Sequence, residues 1–331
     1  MTELTAPKHG GADDSSAALE RFRTELTGFC YRMLGSSFEA EDAVQDTLVR
    51  AWRAYDRFEG RSSLRSWLYR IATNVCFDLL DGRSRRARPV DLGPAETIGA
   101  TLGPRLGEDR WLQPVPDSRV IPESRDPAEV AELRDTVRLA FVATLQHLPP
   151  RQRAVLILRE VLQWPASEVA ELLDATVASV NSALQRALAT LAEKDLDDTG
   201  NGDALDEEHR ELLARYVDAF ERYDMDSLTA LLHEDAAWSM PPYELWLRGH
   251  DVIRWWCLGP GSACRGSRLV ATRANGSPAF GHYKPDPEHG GHSAWSLQVL
   301  ETRADRISAI TFFLDTERFF PLFGLPLHLP D

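Results

Sequence analysis

The chain has 331 residues, a formal net charge of −14 and 43% hydrophobic residues, which is enough for two or three domains with their own cores. It contains no apolar run as long as a membrane span, and its start lacks the basic-then-apolar pattern of a secretory signal. These features argue against a membrane-spanning or a secreted protein. The four cysteines show neither a CxxC motif nor a metal-ligand spacing with His, so we expect no metal and no cofactor. Cys257 and Cys264 are close enough in sequence for a redox pair to stay an alternative to plain reduced thiols.

The acidic excess is unevenly distributed along the chain. Residues 17–90 carry 13 Arg against 10 Asp and Glu, whereas the acids are concentrated in residues 91–135, in residues 195–208 and in the C-terminal half. Neutralisation of phosphates supplies most nonspecific affinity for nucleic acid. A nucleic-acid contact is therefore expected to be local, and weak without a larger partner.

The N-terminal part predicts a disordered leader over residues 1–16 and an all-helical domain over residues 17–90. Apolar residues recur at helical spacing up to Met33, and the Gly-Ser-Ser stretch after Leu34 ends that helix. A second helix is predicted from Phe38 to Trp52, with Trp52 facing inward, and a third from about Leu64 to Asp81. An Arg-rich tail follows the third helix.

Residues 91–127 predict an extended linker, because they are rich in proline and show no helical period. A structureless segment of this length is uncommon inside a compact domain, so it separates two domains or has a role of its own. The apolar stretch from Trp111 to Asp117 is interpreted as a tether that docks on a neighbouring part of the protein.

Residues 128–194 predict helical pairs that end in a helix-turn-helix. Pro165 is placed at the first position of one helix, and Thr176 at the cap of the next. The apolar stripe of that second helix comprises Val177, Val180, Leu184, Leu188 and Leu191. Small or hydrogen-bonding groups remain on its outward face, and such groups read base edges in a major groove. An ordinary helical hairpin is the alternative interpretation.

An acidic linker over residues 195–208 leads to a domain of a different class at residues 209–331. Two amphipathic helices are followed by four predicted strands: Ala236–Met240, Arg268–Ala274, Ala294–Glu301 and Ile307–Leu314. The sequence thus predicts a multidomain fold, with two all-α domains followed by an α+β domain.

The two helical domains resemble the extracytoplasmic-function (ECF) type of the sigma-70 family of RNA polymerase sigma factors. The resemblance rests on EAEDAVQDTLVRAW from Glu39, on FEGRSSLRSWLYRIATNVCFDLLDGRSRR from Phe58, and on LPPRQRAVLILRE from Leu148. It implies a promoter-melting domain at residues 17–90 and a helix-turn-helix domain for the −35 element at residues 128–194. The implied partners are promoter DNA and core RNA polymerase, through the β′ clamp helices and the β flap. The linker resembles the segment that threads toward the polymerase active site and the RNA exit path.

The resemblance also assigns residues to these contacts. Asp42, Gln45 and Asp46 would bind core polymerase, although a solvated polar face is the alternative. The −10 element would be melted and read by Phe58, Arg61, Trp67, Arg70, Asn74 and Asp78, with Trp67 equally well placed in a core. Phosphates of the DNA backbone would be held by Arg83, Arg85, Arg86 and Arg88. The −35 element would be read by Ser179, Asn181, Ser182, Gln185 and Arg186.

The C-terminal domain resembles the SnoaL-like fold, a cone-shaped α+β barrel with a pocket. Candidate pocket residues are Trp238, Tyr243, Trp246, His250, Asp251 and Trp295. A His–Asp pair there suits general acid–base work, and His233, Asp235, His282 and His292 are further polar candidates, but the sequence favours surface or satisfied core positions for these histidines. ECF factors with such a fused domain use it as a built-in regulator.

We therefore expect a cytoplasmic, non-enzymatic ECF sigma factor whose C-terminal domain packs on its own sigma domains and tunes them. No catalytic residue and no membrane contact is predicted. One alternative makes the C-terminal domain a sensor of a small-molecule ligand, or a cyclase- or isomerase-like enzyme, with the sigma half as its output. Another is a stand-alone helix-turn-helix repressor, against which the low positive charge of the recognition helix argues.

Overall fold

The computed structural model describes residues 12–122, 126–192 and 207–330, and the chain divides into two compact units. Unit 1 comprises Met1–Arg85, Ser118–Val137 and Thr144–Asp195, and unit 2 comprises Arg86–Asp117, Arg138–Ala143 and Leu196–Asp331. Residues 1–11 of the predicted leader and 195–206 of the predicted acidic linker lie outside the described residues. The predicted linker at 91–127 is divided between the units, and most of it is grouped with the C-terminal domain.

The N-terminal half of the chain is helical, as predicted. Its α-helices are α1 (Ala12–Glu20), α2 (Arg23–Leu34), α3 (Ser37–Ala54), α4 (Leu64–Leu80), α5 (Asp117–Val120), α6 (Pro127–Asp135), α7 (Leu139–Leu145), α8 (Pro150–Leu156), α9 (Ala166–Leu172) and α10 (Val177–Ala192). α1 begins inside the segment that was predicted to be a disordered leader. The predicted linker contains short 3₁₀ turns at Pro89–Asp91 and Glu108–Arg110.

Local signals set the ends of α2, α3 and α4. Gly35 has a φ of 70°, the left-handed conformation that glycine adopts without strain, and it ends α2. The Ser36 hydroxyl then accepts from the Glu39 amide at 3.2 Å and begins α3, and the Ser63 hydroxyl accepts from the Ser66 amide at 3.0 Å and begins α4. These caps place the polar face of α3 and the loop before α4 on the surface of unit 1.

The helix-turn-helix consists of α9 and α10. Asp174 lies in the turn with a φ of 48°, and the Thr176 hydroxyl accepts from the Ser179 amide at 3.1 Å, as expected for a cap. Pro165 lies one residue before the helix, because its ψ of 143° is extended. On α10 the buried residues are Val180, Ala183, Ala187 and Leu191, whereas Val177 and Leu188, predicted to be core residues, are 44% and 45% exposed.

Unit 2 contains the predicted α+β domain. Its helices are α11 (Glu207–Glu221), α12 (Met225–Ala230), α13 (His250–Leu258) and α14 (Thr316–Leu322). Its strands are β1 (Leu232–Ser239), β2 (Trp246–Arg248), β3 (Arg268–Ala274), β4 (Ser277–Pro285), β5 (His292–Arg303), β6 (Arg306–Phe313) and β7 (His328–Leu329). The four predicted strands correspond to β1, β3, β5 and β6.

The strands form one sheet in the order β2-β1-β6-β5-β4-β3, with β7 paired to β5. β1 and β6 are parallel, whereas the hairpins β3–β4 and β5–β6 are antiparallel. Helices α11 to α13 and one face of the sheet share an aromatic core that includes Tyr216, Phe220, Trp256, Phe280 and Phe312. β3 is an edge strand, which leaves its outer backbone groups available for pairing.

Candidate nucleic-acid interface

The residues predicted to bind polymerase lie on one face of α3. Asp42 and Gln45 are exposed, and the half-buried Asp46 forms an ion pair with Arg50 at 2.8 Å. Trp52 extends this face, because it lies seven residues, or two helical turns, after Gln45. It is 54% exposed. Its prediction as an inward residue was wrong, because the buried stripe of α3 continues from Leu48 to Ala51 and leaves Trp52 beside it.

The aromatic residues predicted for promoter melting are adjacent. The rings of Phe58 and Trp67 have centroids 5.0 Å apart, and both residues are half-buried. Arg61, in the exposed loop between them, pairs with Glu59, with Nε 2.6 Å from Oε2. A pair of adjacent aromatic rings beside an exposed loop can receive an unstacked base.

Helix α4 presents its other predicted residues along the same side. Arg70 is half-buried, whereas Asn74 and Asp78 are exposed. Arg70 donates through Nη2 to the carbonyl oxygen of Glu171, which lies on α9, at 2.6 Å. A polar cavity of about 300 Å³ surrounds this contact, lined by Ser62, Ser63, Ser66, Arg70, Glu168, Glu171 and Leu172. In unit 1, part of the face predicted for the −10 element therefore lies against the helix-turn-helix.

Two buried arginines join α2 to the second group of helices in unit 1. Arg32 on α2 donates through Nη2 to the Thr136 hydroxyl at 2.7 Å and through Nε to the Thr136 carbonyl at 3.2 Å. Arg153 on α8 donates to the Met33 carbonyl, and also to the Gln146 side chain at 2.8 Å. Burial lowers the pKa of each guanidinium to about 10, so both stay charged at neutral pH.

An aromatic contact accompanies this join. The rings of Tyr69 on α4 and Trp164, just before α9, have centroids 4.9 Å apart, and the Arg65 guanidinium lies 5.1 Å from the Trp164 ring centroid. Trp164 is only 4% exposed. The contact therefore buries a large side chain between α4 and the segment that precedes α9.

Each arginine predicted to bind phosphate has a protein partner in this structure. Arg83 pairs with Glu39, Arg85 contacts His147, and Arg88 pairs with Asp91 at 3.1 Å. Arg86 is buried and donates to the carbonyls of Glu108 and Trp111, both at 2.8 Å. To bind a DNA phosphate, each arginine would have to release its present partner in the protein.

The outward face of α10 matches its prediction in position. Its exposed residues include Ala178, Ser179, Asn181, Ser182, Gln185 and Arg186. Exposed hydrogen-bonding side chains on one side of such a helix are the arrangement that reads a major groove.

The linker within unit 2 is bound by the C-terminal domain along its length. Glu96 donates its amide to the Trp246 carbonyl at 2.8 Å, and the Trp246 indole donates to the Gly93 carbonyl at 3.0 Å. Further along, the Leu106 amide donates to the Pro242 carbonyl at 3.0 Å. Glu108 forms an ion pair with Arg318.

The C-terminal end of the linker pairs with the turn between β3 and β4. The Asn275 amide donates to the Val115 carbonyl, and the Asn275 side-chain oxygen accepts from the Val115 amide, both at 3.0 Å. Asp117 accepts from Arg273 Nε at 3.0 Å and from the Gly276 amide at 2.7 Å. Trp111 and Val115 are 3% and 1% exposed, so the apolar stretch is fully docked.

The structure places the predicted C-terminal pocket residues at separate positions. Trp238 is buried, with its ring centroid 4.4 Å from that of Phe312. Trp246 contacts the linker. His250, the first residue of α13, has its Nε2 3.2 Å from the carbonyl oxygen of Leu232 on β1. Asp251 is exposed. Two members remain: Tyr243 is half-buried against the core, and Trp295 is 43% exposed on β5, with Lys284 Nζ 3.2 Å from its ring centroid.

His282 is a core residue whose two ring nitrogens both have hydrogen-bond partners. Its two ring nitrogens lie 3.0 Å from the Ser296 hydroxyl and 2.9 Å from the Ser267 hydroxyl. Burial lowers its pKa to about 3, so the imidazole is neutral at physiological pH. His233 contacts Asp235, which also pairs with Arg303 at 3.3 Å.

Two properties of the described residues bear on the class of site. They contain no group of three or more His, Cys, Asp or Glu side chains arranged to hold a metal ion. None of the helices in the described part of the chain is long and apolar enough to cross a membrane.

Comparisons with known proteins find two family matches in the helical half of the chain. Residues 18–86 match the family model of sigma-70 region 2, and residues 138–191 match that of sigma-70 region 4. The chain is 46% identical to the ECF RNA polymerase sigma factor SigG of Mycobacterium tuberculosis over 321 residues, which are 95% of this chain and 84% of that protein. It is 31% identical to the ECF sigma factor SigW of Bacillus subtilis over 182 residues, or 54% of this chain and 87% of that one.

A solved structure extends the comparison to the fold. The crystal structure of the M. tuberculosis ECF sigma factor SigJ aligns with a TM-score of 0.59 at 21% sequence identity. The alignment covers 94% of this chain and 99% of that one. At this identity the likeness shows a shared architecture: helical domains followed by an α+β domain.

Proposed function

Because the chain belongs to the ECF family of RNA polymerase sigma factors, we propose that it directs core polymerase to promoters under the control of its own C-terminal domain. The resemblance seen in the sequence is thereby confirmed at the level of the family. A sigma factor is a transcription initiation factor that works with the cytoplasmic polymerase and leaves the chemistry to it. We therefore place the protein in the cytoplasm and assign it no catalytic residue.

The polymerase contact is assigned to the exposed face of α3. Asp42, Gln45 and Asp46 offer carboxylate and amide oxygens, which suit arginines on a partner. The exposed Trp52 gives the same face an apolar anchor of the kind that dominates binding energies. The β′ clamp helices are the proposed partner surface.

The promoter contacts are assigned to α4 and α10. Phe58 and Trp67 supply a stacking platform beside the exposed loop for a base of the −10 element. The exposed polar face of α10, with Asn181, Gln185 and Arg186, is assigned to the −35 element.

Regulation is assigned to the docked linker. Residues 86–117, which include most of the predicted linker, belong to the same compact unit as the C-terminal domain. That domain holds them by hydrogen bonds at Trp246, Pro242 and Asn275. A linker held in this way is not free to enter the polymerase. The C-terminal domain is therefore proposed to inhibit initiation until the linker is released, and this docking is the observation that carries the proposal.

In vitro transcription with bacterial core polymerase tests the proposal. The template is a promoter selected from a random pool, and the proteins are the full chain, a chain ended after residue 195, and the variant Asp117→Asn. Asp117→Asn removes the carboxylate that holds Arg273, so we expect it and the truncated chain to initiate more often than the full chain. Asp109→Asn, which neutralises an exposed carboxylate of the same linker, is the matched control and is expected to behave like the full chain.

Two results would overturn the proposal in different ways. If no protein initiates on any selected template, the assignment as a working sigma factor fails. If the truncated chain and Asp117→Asn initiate less often than the full chain, the C-terminal domain assists initiation and the inhibitory assignment fails.

A further inference from the structure

Unit 2 contains a second candidate site that the proposed function does not use. A groove of about 600 Å³ runs between α11 and the β3–β4 hairpin. It is lined by Leu213, Ala214, Val217, Ala271, Thr272, Arg273, Pro278, Ala279 and Phe280. Its volume falls within the range of about 300–1,000 Å³ that is typical of small-molecule sites.

The groove combines an apolar body with a single charged group. Leu213 and Val217 on α11 and Phe280 on β4 supply aliphatic and aromatic surface, and the polar lining groups are Thr272 and Arg273. Arg273 is the one charged residue among those that line it. Its side chain is 34% exposed. A ligand that fills this space would bury an apolar chain and present one negative charge.

The linker already places an apolar residue and a carboxylate beside Arg273. Its segment from Val115 to Asp117 reaches Arg273 as a buried apolar residue, then a proline, then a carboxylate. Asp117 Oδ2 lies 3.0 Å from Arg273 Nε. The carboxylate of Asp117 is therefore an internal occupant of the position that an external carboxylate would take.

We propose that this groove binds an amphipathic monocarboxylate, such as a medium-chain fatty acid, whose carboxylate replaces Asp117 on Arg273. Arg273 donates through Nε to Asp117 at 3.0 Å and through Nη2 to the Gly276 carbonyl at 3.4 Å, so a carboxylate that binds this edge of the guanidinium as a bidentate fork must replace Asp117. The bound chain covers the apolar lining, which the linker leaves open. Ligand binding and linker docking are thus mutually exclusive at Arg273.

Competition of this kind couples the ligand to the linker. By thermodynamic reciprocity, a ligand that weakens docking of Asp117 is itself bound more tightly when the linker is free. The transcriptional consequence rests on the proposed function, in which a released linker permits initiation. Binding of the ligand and its effect on the linker do not depend on that function.

Titration calorimetry on the full-length protein tests binding, with decanoate as the probe and decan-1-ol as its neutral analogue. We expect decanoate to bind and decan-1-ol to bind on the order of tenfold more weakly, since a hydrogen bond to a charged group is worth that much or more. Arg273→Gln is expected to weaken decanoate binding by a similar factor. Ala214→Trp fills the groove and is expected to abolish binding, whereas Arg215→Trp, on an exposed position of the same helix that does not line the groove, is the matched control.

Hydrogen exchange measures release of the linker in the same samples. The amides of Val115, Asn275 and Gly276 donate the bonds that hold the docked end, so decanoate is expected to speed their exchange. Arg273→Gln is expected to speed it without ligand. The Ala214→Trp variant must keep slow exchange at these amides, which shows that it is folded and docked.

Each contrary result has one meaning. Absence of decanoate binding, equal binding of decan-1-ol, or unchanged binding to Ala214→Trp overturns the site or its ligand class. Binding without faster exchange at the three amides overturns the competition. If binding and release both occur but released protein initiates no more often than docked protein, the proposed function fails while this inference stands.

Discussion

Arg32 and Arg153 of unit 1 and His282 of unit 2 are deeply buried basic side chains that are held in different charge states. In unit 1, Arg32 and Arg153 are 1% and 3% exposed and keep their charge, because backbone carbonyls and polar side chains surround each guanidinium. In unit 2, the equally buried His282 is neutral, since two serine hydroxyls satisfy it without a charge. The comparison shows that the charge state of a deeply buried basic group follows from its own chemistry and from the partners that surround it.

The largest expected effect lies in the aromatic core of unit 2. Trp238→Ala removes a buried ring stacked on Phe312 and is expected to lower the free energy of unfolding of that unit by about 4 kcal/mol. Hydrogen exchange should show faster exchange in β1 and β6 and unchanged exchange in α2 and α4. Equal loss of protection in both units would mean that they unfold as one, and the comparison of the two as separate units would not hold.

The charged join of unit 1 gives the next effect. Arg153→Met leaves the carbonyls of Met33, Gln146 and Leu148 without their donor and is expected to cost about 3 kcal/mol. Exchange in α2 and α8 reports it. Arg151→Met, at an exposed position of the same helix, should cost less than about 1 kcal/mol; similar costs for both would show that burial of Arg153 is unimportant.

A third prediction separates binding from stability. Trp52→Ala removes an exposed ring, so stability should change by less than about 0.5 kcal/mol, while the Kd for core polymerase rises about 30-fold. A fluorescence titration with core polymerase measures this. Trp295→Ala, which removes a tryptophan of unit 2 that is 43% exposed, is the control and should leave the Kd unchanged. A normal Kd for Trp52→Ala would remove the apolar anchor from the proposed interface.

The last effect, which is small for each tenth of a pH unit, is a pH dependence of unit 2. His282 has a pKa of about 3 when folded and an ordinary value near 6.5 when unfolded, so only the unfolded state takes up its proton between these values. Its stabilising effect is complete above pH 6.5 and declines by about 1.4 kcal/mol for each pH unit below it. The stability difference between the wild type and His282→Gln should therefore shrink as the pH falls from 6.5 to 4. A constant difference would show that His282 is not held neutral.

Much of the fold could be predicted because local patterns specify it. Helical periodicity and serine or threonine caps locate α3, α4 and α10 to within a few residues, and alternation locates four of the strands. β4 was missed because Pro278, Gly281 and Pro285 obscure its pattern; it is a strand because β3 and β5 pair with it on both sides. The helix α13 was missed as well.

The site was less predictable, because its contacts join residues that are distant in sequence. The composition of the linker does not predict that Val115 forms a hydrogen bond with Asn275 or that Glu108 forms an ion pair with Arg318. The exposure of Trp52 depends on how three helices pack, which a single stripe of apolar residues does not specify. The interpretation of the Trp111–Asp117 stretch as a docking tether agrees with its burial, whereas the role of each predicted promoter residue stays a prediction.

The ribosome synthesises the linker before the parts of the C-terminal domain to which it docks. The ribosome completes the linker at Asp117 roughly 200 residues before it reaches Arg318, and the parallel pairing of β1 with β6 also waits for the end of the chain. At typical elongation rates of about 5–20 residues per second, this delay is on the order of 10–40 s. Each new molecule therefore passes through an interval in which the sigma segments have emerged and their restraint has not yet been made. If the docked linker inhibits initiation, as proposed above, the amount of active factor in a growing cell would depend on the rate of translation as well as on any signal.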